Sequence, residues 1–186
     1  GKYFEDHETH AHCLPTAFGA SLQILEELID LHKPRIVICI GQAGGRHAIS
    51  LERVAINIDD ARIADNLGKI PIDTPVKING PNAYFSTLPI KSIVHNLHQS
   101  GIPAEVSNSA GTFVCNHVFY GLMHYVAGYS NIKAGFIHIP YLPEQAVKHK
   151  AAPSMAIAIL FQSIEIAIQT SLLNSKDLRV SGGTIC

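Results

Sequence analysis

The chain has 186 residues, 47% of them hydrophobic, which suits a single domain spanning residues 1–186 around one sizeable core. Its 14 basic and 15 acidic residues give a net charge of −1, so the sequence lacks the electrostatic footprint of a protein that binds nucleic acid or an anionic membrane. No apolar run approaches the roughly 20 residues needed to span a bilayer, so we expect no membrane partner and a small, nearly neutral substrate or a protein as ligand.

The chain opens with the polar segment GKYFEDHETHAH, which lacks the hydrophobic middle of a signal peptide and therefore favours a cytoplasmic protein. Its HETH does not match the zinc-binding HExxH pattern, and no acidic or sulfur ligand set stands out elsewhere, so we predict no metal site. The cysteines form no CxxC pair and indicate neither a zinc site nor a disulfide framework. They are Cys13, Cys39, Cys115 and Cys186.

The first half of the chain reads as a helix, two strands and a long loop. Apolar residues at helical spacing predict a helix over 15–32, followed by a buried strand in RIVICIG. Residues 51–58 alternate as a strand does, and residues 59–84 are rich in Pro, Gly, Asn and Asp. We expect that stretch to be a loop, and loops of this length in a small domain are usually functional.

The second half continues the alternation of helices and strands. A helix is predicted over 89–100 with Thr87 as its N-cap, then a short strand within PAEVSNSAGT. A third helix starts near Thr112 or Phe113, and a buried strand follows in KAGFIHIP. The last helix, within APSMAIAILFQSIEIAIQTSLL, is apolar nearly all round and should be mostly covered. This alternation predicts an α/β protein, a three-layer α/β/α sandwich with a mostly parallel twisted sheet.

Two cysteines lie inside predicted elements. Cys39 is in a continuous apolar strand and reads as core filler. Cys115 falls in the first turn of the third helix, where unpaired N–H groups and the helix dipole stabilise an anion and lower the pKa of a cysteine. From these residues alone, Cys115 is either a nucleophile or a small core thiol.

A base and an acid are also available. His138 lies near the carboxyl end of an apolar strand, where open α/β sheets place their sites, although a hydrogen-bonded core histidine is the alternative. Glu52 shares strand parity with Val54, Ile56 and Ile58, so its carboxylate faces an apolar side and needs a partner. His138 would serve as that partner, and together with a nearby thiol it could form a nucleophile and base pair.

The loop GQAGGR after the Cys39 strand lacks the spacing of a phosphate-binding loop, and its glycines more plausibly allow close backbone approach to a ligand. With these residues assembled, the sequence resembles the pyroglutamyl-peptidase I family of cysteine peptidases, which remove an N-terminal pyroglutamate from peptides. The resemblance runs from Leu14 onward. It is carried by GQAGGR at 41–46, ERVAIN at 52–57, DDARIADN at 59–66, GPNAYFSTLPIK at 80–91, AGTFVCNHVFYGLMH at 110–124 and GFIHIPYLPEQ at 135–145.

The resemblance implies a catalytic role for Cys115, His138 and Glu52, the same three residues that the physical reasoning selects. The Cys115 thiolate would attack the pyroglutamyl carbonyl, His138 would move the proton, and Glu52 would orient the imidazole, with no metal or cofactor. Backbone N–H groups at the start of the helix, including that of Cys115, are suited to bind the oxyanion. Arg62 is either a second electrostatic stabiliser or a solvated loop arginine.

Pyroglutamate carries no charged amine, so its pocket should be apolar with a few polar groups for the lactam. Ile63, Phe113 and Val114 could form its walls and Gln42 a polar contact, although each could equally be packing. The implied partners are peptides with N-terminal pyroglutamate and further copies of the chain, since the family forms tetramers.

The family's N-terminal strand and its loop, close to GFEPFGG, have no counterpart in the sequence. Because that loop helps to form the pyroglutamate pocket, we expect a thiol that reacts at Cys115 but poor cleavage. Two other functions stay open, another cysteine amidase or acyltransferase on a similar sheet, and a non-catalytic binding protein that kept the fold.

Overall fold

A computed structural model describes residues 2–4 and 7–183, which form eight strands and five helices. The first two strands form a hairpin. The other elements are the four strands of a central sheet, a separate two-stranded sheet, four longer helices and one short helix. In chain order the elements are β1 (Lys2–Phe4), β2 (His7–Thr9), α1 (Ala20–His32), β3 (Ile36–Gln42), β4 (Ile49–Glu52), β5 (Val54–Ile56), β6 (Ala83–Phe85), α2 (Ile90–Gln99), β7 (Ala104–Ser107), α3 (Val114–Val126), β8 (Lys133–Ile139), α4 (Pro143–Ala146) and α5 (Ile157–Leu173).

The central sheet has the strand order β3-β8-β4-β7. The outer pairs β3–β8 and β4–β7 are parallel, and the middle pair β4–β8 is antiparallel. Strand β8 is buried at its five inner positions, which is the pattern of a strand covered on both faces. The predicted α/β architecture with a mostly parallel sheet is confirmed, with one antiparallel pairing at its centre.

Helices cover both faces of this sheet. On one face, α1 and α3 pack over a core that contains Cys39, Phe119 and Phe136. On the other face, α2 and α5 pack over a core that contains Leu51 and Ile137. Cys39 is only 8% exposed, so its predicted role as core filler is confirmed.

The strand predicted over 51–58 is wrong in one respect, because it is two strands. Strand β4 belongs to the central sheet and is buried at all four positions, whereas β5 pairs with β6 in the separate two-stranded sheet. Within β5 the buried residue is Ala55, and Val54 and Ile56 are half-buried. The chain changes sheets after Glu52, so a single parity does not run through the segment.

The last helix is less covered than its composition predicts. Phe161 is 66% exposed and Leu173 is 79% exposed, so the expectation of a mostly covered helix is wrong. Apart from Leu160, its buried residues are small, as Ser163 and Ala167 are, and they let α5 approach α2 closely. The Ser163 hydroxyl donates to the Ile159 carbonyl within the same helix at 2.7 Å, so its burial leaves no unpaired group.

Two helices begin later than the sequence predicts. Helix α1 starts at Ala20, since Gly19 has φ of +80° and lies outside helical geometry. The residue at the N-cap of α2 is Pro89 and not Thr87, whose hydroxyl donates instead to the Ala134 carbonyl at 3.3 Å. Among the described residues, no helix combines the length and apolar character needed to cross a membrane.

Candidate active site

The acid and the base predicted from the sequence form a buried pair in the centre of the sheet. Glu52, the last residue of β4, is completely buried, and His138 on β8 is 3% exposed. The Nδ1 of His138 lies 2.8 Å from Oε1 of Glu52. Because an ionised carboxylate only accepts hydrogen bonds, Nδ1 carries the proton and Nε2 is left with its lone pair.

The thiol of Cys115 lies beside this pair, on the sheet face covered by α3. Gly41 on β3 is in register with His138 on β8. A methyl group at Gly41 would come within 3.0 Å of Sγ of Cys115 and 2.8 Å of the Phe136 ring. Neighbouring strands are about 4.8 Å apart, so the thiol is within side-chain reach of the imidazole. Gly41 therefore leaves the space in which the nucleophile sits.

The three residues meet for a different reason from the one the sequence suggests. We expected thiol and imidazole to emerge from the same carboxyl edge of a parallel sheet, but β4 runs antiparallel to β8 and parallel to β7. Instead, β4 and β7 end halfway along β8, where Glu52 is opposite Phe136. Residues 108–113 then lead directly to α3, whose second residue is Cys115. The site thus lies over the middle of the sheet.

The expected acidity of the thiol is also wrong. Burial raises the pKa of Cys115 above its ordinary value, and the negative charge of Glu52 raises it further, while the positive charge of Arg46 lowers it. The half-buried thiol therefore holds its proton at neutral pH and needs a base. Within the described part of the chain, Nε2 of His138 has no hydrogen-bond partner, so it is available for that role.

The start of α3 offers free donors next to the thiol. The N-cap residue Phe113 has an extended backbone and no side-chain capping bond. The first helical hydrogen bond runs from the backbone N–H of His117 to the carbonyl of Phe113. The N–H groups of Val114 and Cys115 precede it, and groups at this position are suited to bind an anion.

Arg46 is a site residue that the sequence analysis missed. Its Nη1 donates to Oε1 of Glu52 at 2.7 Å, and its Nη2 donates to the carbonyl of Ser109 at 3.0 Å. Oε2 of Glu52 is buried and has no partner among the described residues. The signal was present, since Arg46 ends the GQAGGR motif six residues before a carboxylate that needed a cation.

A second buried histidine and carboxylate pair was also missed. Nδ1 of His117 on α3 lies 2.8 Å from Oδ2 of Asp59, and Nε2 of His117 accepts the N–H of Gly19 at 2.9 Å. The ring also contacts the edge of Phe18. Both nitrogens of His117 are occupied, so the pair attaches the start of α1 to α3. The sequence CNHVF places His117 two residues after Cys115, which could have indicated its position.

The predicted pocket residues occupy different environments. Val114 is buried, Phe113 packs edge-on against Phe18 with ring centroids 5.4 Å apart, and Nε2 of Gln42 donates to Oε1 of Gln145 at 2.5 Å. Ile63 is 67% exposed, and Arg62 is exposed in the same loop. The roles of these residues in a pocket stay predictions. The glycines of GQAGGR do permit close approach, but to protein groups, the Cys115 thiol at Gly41 and the Tyr141 ring at Gly44.

Other candidate sites do not coincide with this centre. In the part of the chain that the structure describes, no group of three His, Cys, Asp or Glu side chains has metal-binding geometry. Cavities of about 290 Å³ and 400 Å³ open between α2 and α5 and between α2, β7 and the C-terminal tail, away from Cys115. Cys13 is exposed, and Cys186 lies outside the described residues.

Comparisons with known proteins agree with one another. The family model described as pyroglutamyl peptidase matches residues 1–174. Pyrrolidone-carboxylate peptidases of Erwinia tasmaniensis and Brevibacillus brevis are 58% and 55% identical to the chain, over 91% and 92% of it and 79% and 80% of their own lengths. Pyroglutamyl peptidase I of Bacillus amyloliquefaciens has a TM-score of 0.88 at 48% identity, over 90% of this chain and 80% of its own. A mutant pyrrolidone carboxyl peptidase of Pyrococcus furiosus has a TM-score of 0.89 at 44% identity, over 92% of this chain and 85% of its own.

Proposed function

The chain belongs to the pyroglutamyl peptidase family of cysteine peptidases, and we propose that it removes N-terminal pyroglutamate from peptides with Cys115, His138 and Glu52 as its catalytic residues. The observation that carries this proposal is the buried Nδ1 to Oε1 bond of 2.8 Å between His138 and Glu52, with the Cys115 thiol against the adjacent strand at Gly41.

The reaction begins with a proton transfer. Because burial raises the pKa of Cys115, the thiol starts protonated, and Nε2 of His138 takes its proton as sulfur attacks. The imidazolium that forms is stabilised by the negative charge of Glu52, whose Oε1 accepts a hydrogen bond from the Nδ1–H, and that proton stays on the ring.

Sulfur attacks the carbonyl carbon of the pyroglutamyl residue, and the carbonyl π electrons move to oxygen. In this proposal the N–H groups of the first turn of α3, which has no side-chain cap, donate to that oxyanion. When the tetrahedral intermediate collapses, the C–N bond breaks and Nε2 of His138 returns its proton to the leaving amine. The product is a thioester on Cys115 and a peptide shortened by one residue.

Water completes the cycle. Nε2 of His138 removes a proton from a water molecule, the oxygen attacks the thioester carbon, and the C–S bond breaks. The thiolate recovers the proton from the imidazolium, and 5-oxoproline leaves. Every group in these steps comes from the chain or from water.

The proposed substrate pocket lies at the start of α3. Phe113 and Val114 adjoin Cys115 and offer apolar surface to an uncharged ring, and Gln42 would contact the lactam. Arg62 is two residues after Asp60. Asp60 forms two hydrogen bonds with Thr112, the residue before Phe113. That link would bring the loop cation toward the oxyanion, and its role in stabilising it is part of the proposal.

The test is cleavage of pyroglutamyl arylamide against prolyl and alanyl arylamides, with the Cys115→Ala variant as the matched control. We expect slow release of the arylamine from the pyroglutamyl compound alone and none from the variant. Equal cleavage of the prolyl compound would instead favour a less selective cysteine amidase. An inactive protein that retains its fold by circular dichroism would contradict the proposed activity.

A further inference from the structure

We propose that Arg46 is a positioning residue of the active site, which fixes the Glu52 carboxylate toward His138 and at the same time ties down the segment that carries Cys115. The proposal rests on the function proposed above and names a residue that acts through the catalytic groups without touching substrate.

The first contact of Arg46 is with the acid. One carboxylate oxygen, Oε1 of Glu52, accepts from both Nη1 of Arg46 at 2.7 Å and Nδ1 of His138 at 2.8 Å. Glu52 is completely buried, so its charge requires compensation by groups that touch it. A neutral imidazole supplies a hydrogen bond but no positive charge, and the guanidinium supplies the charge. The guanidinium also selects the Glu52 oxygen that faces His138, since Oε1 bonds to both groups and Oε2 has no partner among the described residues.

The second contact is with the backbone that precedes the nucleophile. Nη2 of Arg46 donates to the carbonyl of Ser109 at 3.0 Å, in the segment between β7 and α3. Ser109 is exposed and is otherwise joined to the local turn through Ser107 and Gly111. The planar guanidinium therefore fixes the distance between the end of β4, which holds Glu52, and the segment that sets the position of Cys115.

Few other charges act on this centre. Among the described residues, Arg46, His138 and the Cys115 thiol lie against Glu52, and Glu105 is on the same sheet face, where it accepts a hydrogen bond from Ser50 opposite His138. Arg53 is adjacent to Glu52 in sequence but turns away, with its guanidinium bonded to the Asn108 side chain and the Gly182 carbonyl. It therefore provides a matched control, an arginine on the same segment with no contact to the carboxylate.

The electrostatic effect on the thiol has a definite sign. The positive charge of Arg46 lowers the pKa of Cys115, against the larger raising effects of burial and of Glu52. Loss of the guanidinium should therefore move thiolate formation to higher pH. The alkylation midpoint therefore reports the charge of Arg46 near the thiol, and the separate effects on kcat and KM report its positioning role.

The experiment compares Arg46→Gln, Arg46→Lys and Arg53→Gln by kcat and KM on pyroglutamyl arylamide and by the pH dependence of iodoacetamide alkylation of Cys115. We expect Arg46→Gln to lower kcat by about 10- to 100-fold with little change in KM, the scale of a misplaced catalytic group. Its alkylation midpoint should move to higher pH. Arg46→Lys keeps the charge and should keep the midpoint, but it cannot hold Glu52 and Ser109 together, so kcat recovers only in part. Arg53→Gln should have the kcat and the alkylation midpoint of the wild-type protein.

A folded Arg46→Gln variant with wild-type kcat and an unchanged alkylation midpoint would overturn the proposal. If Arg46→Gln does not fold, Arg46→Lys decides, since wild-type kcat in that variant contradicts the link to Ser109. If the wild-type protein does not cleave pyroglutamyl substrates, the proposed function fails. The alkylation midpoints still test Arg46 in that case, because they require no substrate.

Discussion

The described residues include two buried histidine and carboxylate pairs near Cys115 in the chain or in the fold, and of the two only His138 has a ring nitrogen without a partner. His138 with Glu52 and His117 with Asp59 have the same Nδ1 to oxygen distance of 2.8 Å. They differ at the other ring nitrogen, which in His117 accepts the Gly19 N–H at 2.9 Å. In His138 that nitrogen has no partner among the described residues. A histidine held by a carboxylate is thus a general base only when its second nitrogen is left for a substrate or nucleophile.

The carboxylates differ as well. Each carboxylate contacts a histidine through one oxygen and leaves its other oxygen buried without a partner among the described residues, but of the two only Glu52 also has an arginine guanidinium against it. The pair proposed to accept charge during the reaction has a neighbouring cation, whereas no lysine or arginine of the described chain bonds to Asp59. The surroundings of each pair decide its role more than the pair itself does.

The largest expected effect separates the two histidines. His138→Ala should lower kcat/KM by about 10⁴-fold, since it removes the group that both accepts and returns the proton. His117→Ala should leave kcat/KM within about tenfold but lower the free energy of unfolding by about 3 kcal/mol, because Asp59 stays buried without its partner. Steady-state kinetics and urea unfolding measure the two quantities. A larger kinetic loss in His117→Ala than in His138→Ala would reverse the comparison.

The carboxylates should differ less strongly. Glu52→Gln is expected to lower kcat by at least about 10²-fold with KM nearly unchanged, because it disturbs the imidazole and not the substrate pocket. Asp59→Asn should change kcat by less than about threefold, since its effect is limited to the anchoring of α1. Kinetics of Glu52→Gln within about twofold of wild type would remove Glu52 from the catalytic residues.

The smallest effect concerns the rates of thiol modification. Burial raises the pKa of Cys39 to about 12, and the neighbouring Cys115 raises it further. Burial also raises the pKa of Cys115, but this thiol is only half-buried, whereas Cys39 is buried. A raised thiol pKa means less thiolate at a given pH, so iodoacetamide should modify Cys115 before Cys39, and faster as pH rises. His138→Ala should slow the modification of Cys115 several-fold at neutral pH, and His117→Ala should not. Peptide mapping in a Cys13→Ser background checks both, and earlier modification of Cys39 would contradict the assignment.

Much of this site was predictable from the residues. Glu52 is predicted as a site residue because a carboxylate in an apolar strand needs a partner. His138 is predicted from its position near a strand end, and Cys115 from its position at a helix start. Arg46 was missed although it lies six residues before Glu52, because sequence spacing alone does not show that the chain turns back to place this cation against the carboxylate. The direction of β4 against β8 was also missed, since strand patterns report burial and not pairing.

The pocket residues and the exposed face of α5 show a similar limit. Apolar residues around Ile157–Leu173 predict a covered helix, but Ser163 and Ala167 turn out to form its inner side. Composition records how apolar a segment is, and only the packed neighbours decide which side is buried. The separation of Ile63 from the core has the same origin, because a loop residue's exposure depends on the elements against which the loop lies.

The antiparallel pairing at the centre of the sheet has a consequence for folding. Glu52 and His138 are 86 residues apart in sequence, and each β-strand in the central sheet pairs with a partner that is distant along the chain. Bringing such distant segments together lowers the chain entropy before stabilising contacts form, so strand pairing of this kind is slow. The helices can form early from local interactions, whereas the acid, base and nucleophile meet only when β4 has joined β8 and α3 has docked. On refolding, helical circular dichroism should therefore return ahead of enzymatic activity.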